Sequence, residues 1–286
     1  MANPSFFTES DGRLHATRYS MSLWAKGTLH GPAVCALGAR AAESAGARDG
    51  FRPARFTVDM FRAARSIPTT TEATIVRDGG RVRVVQVDIL QHRDDDDPVC
   101  VARSTTVFLK ESANPHGERW TPPSTFDPPP AAADDYYPFF AADATTTADG
   151  TPVDTVAWTH DFSAMQGPGR KRNWAQTLPV VPGEEPSPFV LAVTAAESTS
   201  AVGNWGTTGI ALINCDLTVA LSRLPIGRRV GVQAQFHSED DGISVSTTTI
   251  YDEAGAIGTG VATAVNNSAA EINATNVTAG ERFQPE

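Results

Sequence analysis

Cysteine is scarce: the chain of 286 residues has three, Cys35, Cys100 and Cys215, far apart in sequence. Their spacing matches no metal-ligand pattern, and an odd number argues against a disulfide framework. Each falls in an apolar stretch, so three buried thiols in a reducing compartment are expected. No electropositive residue adjoins Cys35, which disfavours it as a nucleophile. Positive charge is also short. Lys and Arg number 23 against 33 Asp and Glu, a net charge of −10, whereas nucleic-acid binding needs concentrated cations. Long apolar runs are missing: none approaches the ~20 residues of a membrane span. The opening Met-Ala-Asn-Pro-Ser-Phe-Phe has neither the basic region nor the apolar core of a signal peptide, so a cytoplasmic location is expected. The Asn-x-Ser/Thr triplets at Asn266, Asn273 and Asn276 then carry no weight as glycosylation sites.

Several chemistries lack their signatures. There is no Gly-x-Ser-x-Gly elbow and no Walker loop, and the glycines at 255–260 lack the strand-to-helix spacing of a dinucleotide site. Side chains of the consecutive aspartates at 94–97 diverge, so they read as a solvated loop rather than a metal site. No cofactor and no metal are expected. Basic residues do cluster at Arg81 and Arg83 and at Arg170-Lys171-Arg172, either as phosphate contacts or as solvated loops.

What is present is a hydrophobic pattern that occurs twice, over residues 30–109 and 189–266. The first copy runs from a helix-like stretch at 31–43 through Phe56-Thr57-Val58-Asp59 and the turn Asp78-Gly79-Gly80 to an Ala/Ser/Thr-rich strand at 100–107. The second repeats that order with 189–200, Ile213-Asn214-Cys215-Asp216, the turn Asp240-Asp241-Gly242 and 257–265. A duplication of this size predicts two units of one fold with a site between them. With 41% hydrophobic and 20% charged residues, each unit can bury a proper core.

The helix at 32–43 is apolar on every side, which predicts burial, and Pro32 suits its first turn. A short strand is expected at 18–24, then strands at 54–61, 71–77, 81–91 and 99–109. Residues 113–150 are rich in Pro, Ala and Thr, and three prolines in a row exclude a helix or central strand there. Tyr136-Tyr137-Pro138-Phe139-Phe140 pins part of this linker to a surface. The second unit predicts a strand near 156–162, a loop at 167–188, a buried helix over 189–200, and strands at 210–222, 229–238, 242–252 and 255–266. The expected division is 1–112, linker 113–150, and 151–286. The class is α+β: two tandem units, each a curved antiparallel sheet wrapped around a central helix, the hotdog arrangement doubled. An all-β sandwich competes, but the two Ala-rich segments are poor strands and good buried helices.

Several strings carry a resemblance. In the first half they are Leu29-His30-Gly31-Pro32 leading into an Ala-rich helix, then Pro53-Ala54-Arg55-Phe56-Thr57-Val58-Asp59. In the second they are Ile213-Asn214-Cys215-Asp216-Leu217-Thr218-Val219, Arg223-Leu224-Pro225-Ile226-Gly227 and Tyr251-Asp252-Glu253-Ala254-Gly255. In order and spacing the chain resembles the double-hotdog acyl-CoA thioesterases of the thioesterase II type, over most of its length outside the linker and termini. The resemblance implies hydrolysis of an acyl-CoA or acyl-carrier thioester by carboxylate-activated water. It implies no cofactor, and a dimer or higher homo-oligomer.

Carried over by position, the helix carboxylate falls on Glu197, where the family usually has Asp, and the strand amide on Asn214. The family Gln position falls on Ala262, which has no hydrogen-bonding side chain. The oxyanion helix begins at His30 and Gly31, with Pro32 where many relatives have a second Gly; Pro removes one N–H. Asp59 and Asp216 read as hydrogen-bond anchors rather than bases, and Glu43 as either a vestigial second carboxylate or a plain helix end. His30 reads equally as a substrate contact or a loop histidine. The altered positions leave a second function open: a degenerate double hotdog that binds acyl thioesters or lipids without turnover.

Overall fold

Helix α1, Gly31–Gly46, is built from small residues, and Ala33, Cys35, Ala36, Ala39 and Ala42 are all fully buried. Small side chains let the sheet close on the helix. A β-carbon on Gly38 would press against Ser104, and one on Gly46 against Phe108. The computed structural model describes residues 4–93, 97–123, 126–129 and 136–273. The aspartates at 94–96 and Asn276 therefore lie outside the described residues.

Around α1 run β1 (Phe7–Ser10), β2 (Arg13–Ala16), β3 (Phe51–Met60), β4 (Thr69–Asp78), β5 (Val82–Gln91) and β6 (Val99–Lys110). Then come β7 (Phe139–Ala142), β8 (Thr145–Thr146), β9 (Pro152–Val153), β10 (Val156–Thr159) and β11 (Lys171–Ala175). Two helices, α2 (Pro188–Ala196) and α3 (Ser198–Asn204), precede β12 (Leu212–Asn214), β13 (Asp216–Leu221), β14 (Val230–Asp240), β15 (Ile243–Asp252) and β16 (Gly255–Asn266). All but β8 and β9 join one antiparallel sheet, in the order β1-β2-β4-β5-β6-β3-β13-β16-β15-β14-β11-β7-β10, with β12 beside β16. The central run shows the duplication directly: β4-β5-β6-β3 meets β13-β16-β15-β14, the same order reflected about a seam. At that seam Thr57 lies opposite Thr218 and Asp59 opposite Asp216. The fold is a double hotdog.

The helices line the inner face, α1 against β3 to β6 and α3 against β14 to β16. The start of α1 meets the end of α2, and the end of α1 meets the start of α2, so the two pack antiparallel. Phe56 and Phe189, both fully buried, meet edge to face with ring centroids 6.2 Å apart and join the two cores. Truncating either to Ala costs about 3–5 kcal/mol. Turn chemistry fixes the hairpins. Asp241 and Gly242 both have positive φ, 46° and 76°, which suits a two-residue turn between twisted strands.

The structure corrects several expectations. Residues 18–24 are not a strand: Arg18–Ser20 is a 3₁₀ turn and Met21 makes an isolated bridge with Leu29. The loop expected at 167–188 contains β11, which takes a central place between β14 and β7. The helix expected at 189–200 runs on to Asn204 and breaks at Glu197. The strand expected at 210–222 is interrupted at Cys215. Only Cys35 is buried; Cys100 is half-buried and Cys215 exposed, because the interruption turns Cys215 off the inner face. Among the described residues no helix is long and apolar enough to cross a membrane.

Candidate functional site

Glu197 sits at the break between α2 and α3. Its backbone stays helical, with φ −61° and ψ −25°, and its N–H donates to Val193 O at 3.2 Å. The break leaves the carboxyl free to turn across the helix pair toward the start of α1. There it lies against the α-carbon of Gly31, in the space that a β-carbon would fill. Asn214 Nδ2 donates to Glu197 Oε1 at 3.2 Å and to Asp216 O at the same distance.

Asn214 is aimed by the interruption beside it. Thr263 N–H donates to Asp216 Oδ1 at 2.6 Å, so a side-chain oxygen replaces a backbone carbonyl in the ladder. Cys215 N–H reaches Thr263 O at 3.1 Å. Asp216 is thus a structural anchor, as expected. Asp59 is exposed and makes no side-chain hydrogen bond among the described residues, so the anchoring role fails there.

Burial raises the Glu197 carboxyl from its ordinary 4.5 to about 7, with the Asn214 hydrogen bond pulling the other way. Such a group changes charge near neutral pH. At the α1 start, His30 is the helix cap. Its Nδ1 accepts from Ala33 N–H at 3.4 Å, which leaves Nε2–H to donate to Tyr19 O at 2.7 Å. That is the neutral tautomer with both nitrogens engaged, a third role beside the two expected. Pro32 has no N–H, and Ala33 N–H points back to His30. Among the described residues the Gly31 N–H makes no hydrogen bond, so it is the one donor left at the positive end of the helix.

Cys35, one turn further along α1, has its thiol pushed well up, first by burial and then by the Glu197 charge. It stays protonated and is no nucleophile. At the opposite end of the helix pair, Ser187 caps α2 and its hydroxyl donates to Glu43, whose carboxyl is also raised by burial. Each helix therefore offers a carboxylate to the other's N-terminus, and the Glu197 end opens on a cavity.

That cavity holds about 750 Å³ and is walled by both halves, including His30, Gly31, Pro32, Glu197 and Asn214. Ala262 is not on its wall. It is 1% exposed and sits on the inner face of β16 two residues from Gly260, whose β-carbon would strike Thr199. The basic clusters are elsewhere engaged. Arg170 and Arg172 pair with Asp143, and buried Lys171 donates to the carbonyls of Gly167 and Gly169. Arg81 and Arg83 lie at the β4–β5 hairpin, away from the cavity wall. Among the described residues Arg62 is the Lys or Arg side chain on the wall, and it is exposed. Sequence reasoning missed Arg62, Asn173 and Thr194. Only Thr194 left a signal, its three-residue spacing to Glu197 on one helix face. Tyr136 and Tyr137, expected on a unit's surface, also wall the cavity. Among the described residues no three His, Cys, Asp or Glu side chains group to hold a metal.

Known proteins match this architecture. Solved structures share the fold over nearly the whole chain. A candidate thioesterase II from Thermobifida fusca YX superposes with a TM-score of 0.61 at 15% identity, covering 91% of this chain and 96% of the other. A conserved hot dog-fold protein of unknown function from Alicyclobacillus acidocaldarius gives 0.60 at 14%, covering 91% and 94%. A tesB protein from Mycobacterium avium subsp. paratuberculosis gives 0.57 at 13%, covering 90% and 94%. No curated protein matches. The sequence itself matches the family models for the acyl-CoA thioesterase N-terminal domain over residues 21–109 and C-terminal domain over residues 93–265. The second match alone spans more than half of the chain, and together with the first it shows that this protein belongs to the acyl-CoA thioesterase family.

Proposed function

We propose that the chain hydrolyses a fatty acyl-CoA, or a related acyl thioester, to the free acid and the thiol, with Glu197 as general base. The observation that carries this reading is the Glu197 carboxyl on the cavity wall, held by Asn214 and abutting the start of α1, where desolvation raises it to about 7. A base of that pKa takes a proton from water at neutral pH. The resulting hydroxide attacks the thioester carbonyl carbon. Negative charge gathers on the carbonyl oxygen beside the Gly31 N–H and the positive end of α1. When the C–S bond breaks, the proton on Glu197 passes to the departing thiolate. No covalent enzyme intermediate is needed.

Asn214 and the close contact with Gly31 orient the carboxylate. The acyl group lies in the cavity interior, and the CoA phosphates lie outside the mouth near Arg62, with exposed Lys26 and Arg65 on the adjoining loops. The units 1–112 and 151–286, joined by 113–150, would work as a homo-oligomer in the cytoplasm. Pro32 favours a second reading, a binding protein that holds acyl thioesters without turnover. Free CoA release across a series of acyl chain lengths separates the two. Saturable release that vanishes in Glu197→Ala supports hydrolysis; tight binding by calorimetry with no release supports the binding protein.

A further inference from the structure

Asn214 faces against the alternation of the strand that follows it. Leu217 and Val219 are fully buried, so an unbroken strand counted back by twos would put Cys215 inward and Asn214 outward. The observed order is the reverse. Asn214 lies opposite buried Ala264 and reaches Glu197, while Cys215 is exposed. The ladder with β16 shows why. Asn214 pairs with Ala264 and Thr218 with Val261, so three residues between these pairs on one strand face two on the other. The extra residue is a β-bulge, and a slip of one residue exchanges the two faces of a strand.

The bulge is held by both neighbouring strands. Cys215 N–H donates to Thr263 O at 3.1 Å, and Cys215 O accepts from Met60 N–H of the other unit at 2.8 Å. Thr263 N–H, which the slip leaves without a backbone carbonyl, donates to Asp216 Oδ1 at 2.6 Å. Asp216 O accepts from Asn214 Nδ2 at 3.2 Å, the same amide nitrogen that donates to Glu197. We infer that Asp216 is a positioning residue for the hydrolysis: its carboxylate closes the bulge, and the bulge keeps Asn214 turned to the base. The inference rests on the thioesterase reading above. Asp216 does not line the cavity, so it acts through Asn214 and touches no substrate.

The test compares Asp216→Ala, Asp216→Asn and the double variant Asp216→Ala/Asn214→Ala. Asp216→Ala should lose about 10²-fold in kcat with KM little changed, because the Asn214 amide moves by about an ångström. Asp216→Asn removes the charge but keeps an oxygen acceptor for Thr263 N–H, so its kcat should stay within a few-fold of wild type. The double variant should be no slower than Asn214→Ala alone, since residues that act as one unit are not additive. Wild-type kcat in Asp216→Ala, or losses that multiply in the double variant, would overturn the inference. Should Asp216→Ala fail to fold, Asp216→Glu replaces it: the carboxylate shifts by a methylene and the same loss is expected. Carbon-13 NMR of the Glu197 carboxyl, without substrate, separates this inference from the thioesterase reading. The carboxyl should titrate higher in Asp216→Ala than in wild type, as in Asn214→Ala, and be restored in Asp216→Asn. That pattern in a protein that releases no CoA sinks the hydrolase and keeps the positioning role; an unmoved titration sinks the positioning role.

Discussion

Glu197 Oε1 occupies the space that a β-carbon on residue 31 would take, so the carboxylate of the second unit and the opening glycine of the first unit's helix fix each other's position. The contact crosses between the two halves. It also explains why Gly, rather than Ala, opens α1. Gly31→Ala would push back only the far end of one side chain, leaving backbone packing in place. Thermal stability should stay within a few degrees of wild type, while kcat/KM falls about 10²-fold because the base is displaced. A melting curve and a rate on the same preparation check both halves of that statement.

The raised Glu197 carboxyl sets the pH dependence. Its folded value of about 7 lies above the ordinary 4.5, so between these the folded protein holds a proton that the unfolded chain has released. Stability therefore declines as pH rises from about 4.5 to 7 and is level above that. Glu197→Gln removes the titration. It should be more stable than wild type above pH 7, by at most about 3 kcal/mol, and no different below pH 4. Denaturant unfolding at pH 4 and pH 8 measures the difference.

Asn214→Ala removes the hydrogen bond that holds the carboxyl down. The acid limb of the rate profile should move to higher pH, and the plateau should drop by about 10²–10³-fold. An unmoved limb would mean that Asn214 does not touch the base.

Much of this was legible beforehand, and the failures have physical causes. The Asp241-Gly242 turn and the all-apolar α1 follow from side chains whose local preference and final burial agree. Arg170-Lys171-Arg172 misled because a basic triplet suggests solvent. In fact Lys171 buries its ammonium on two carbonyls and Asp143 pairs both arginines, so the segment forms a central strand. The break at Glu197 has no marker in Ala195-Ala196-Glu197-Ser198, since all four residues tolerate helix. The break coincides with the Glu197 carboxyl lying against Gly31 of the other unit. Asp11-Gly12, both at positive φ, is the turn that would have revealed β1 and β2. The role of Ala262 is harder to recover, because strand register alone decides which face a position occupies.

Ala262→Gln offers a direct check on that register. The side chain would be forced under α3, so the variant should lose about 1–3 kcal/mol of stability and gain no rate. A faster enzyme would instead place residue 262 at the site.

Arg62 at the mouth should matter to the phosphates and not to the chemistry. Arg62→Glu should raise KM for acyl-CoA several-fold, less so in high salt, while leaving kcat near wild type and the use of acyl-pantetheine unchanged.

The most direct measurement is CoA release as a function of pH, from 5 to 9, by wild type and Glu197→Gln. A Glu197 base predicts saturable release that rises with an apparent pKa near 7 and is lost in the variant. Turnover by Glu197→Gln equal to wild type across that range would contradict it.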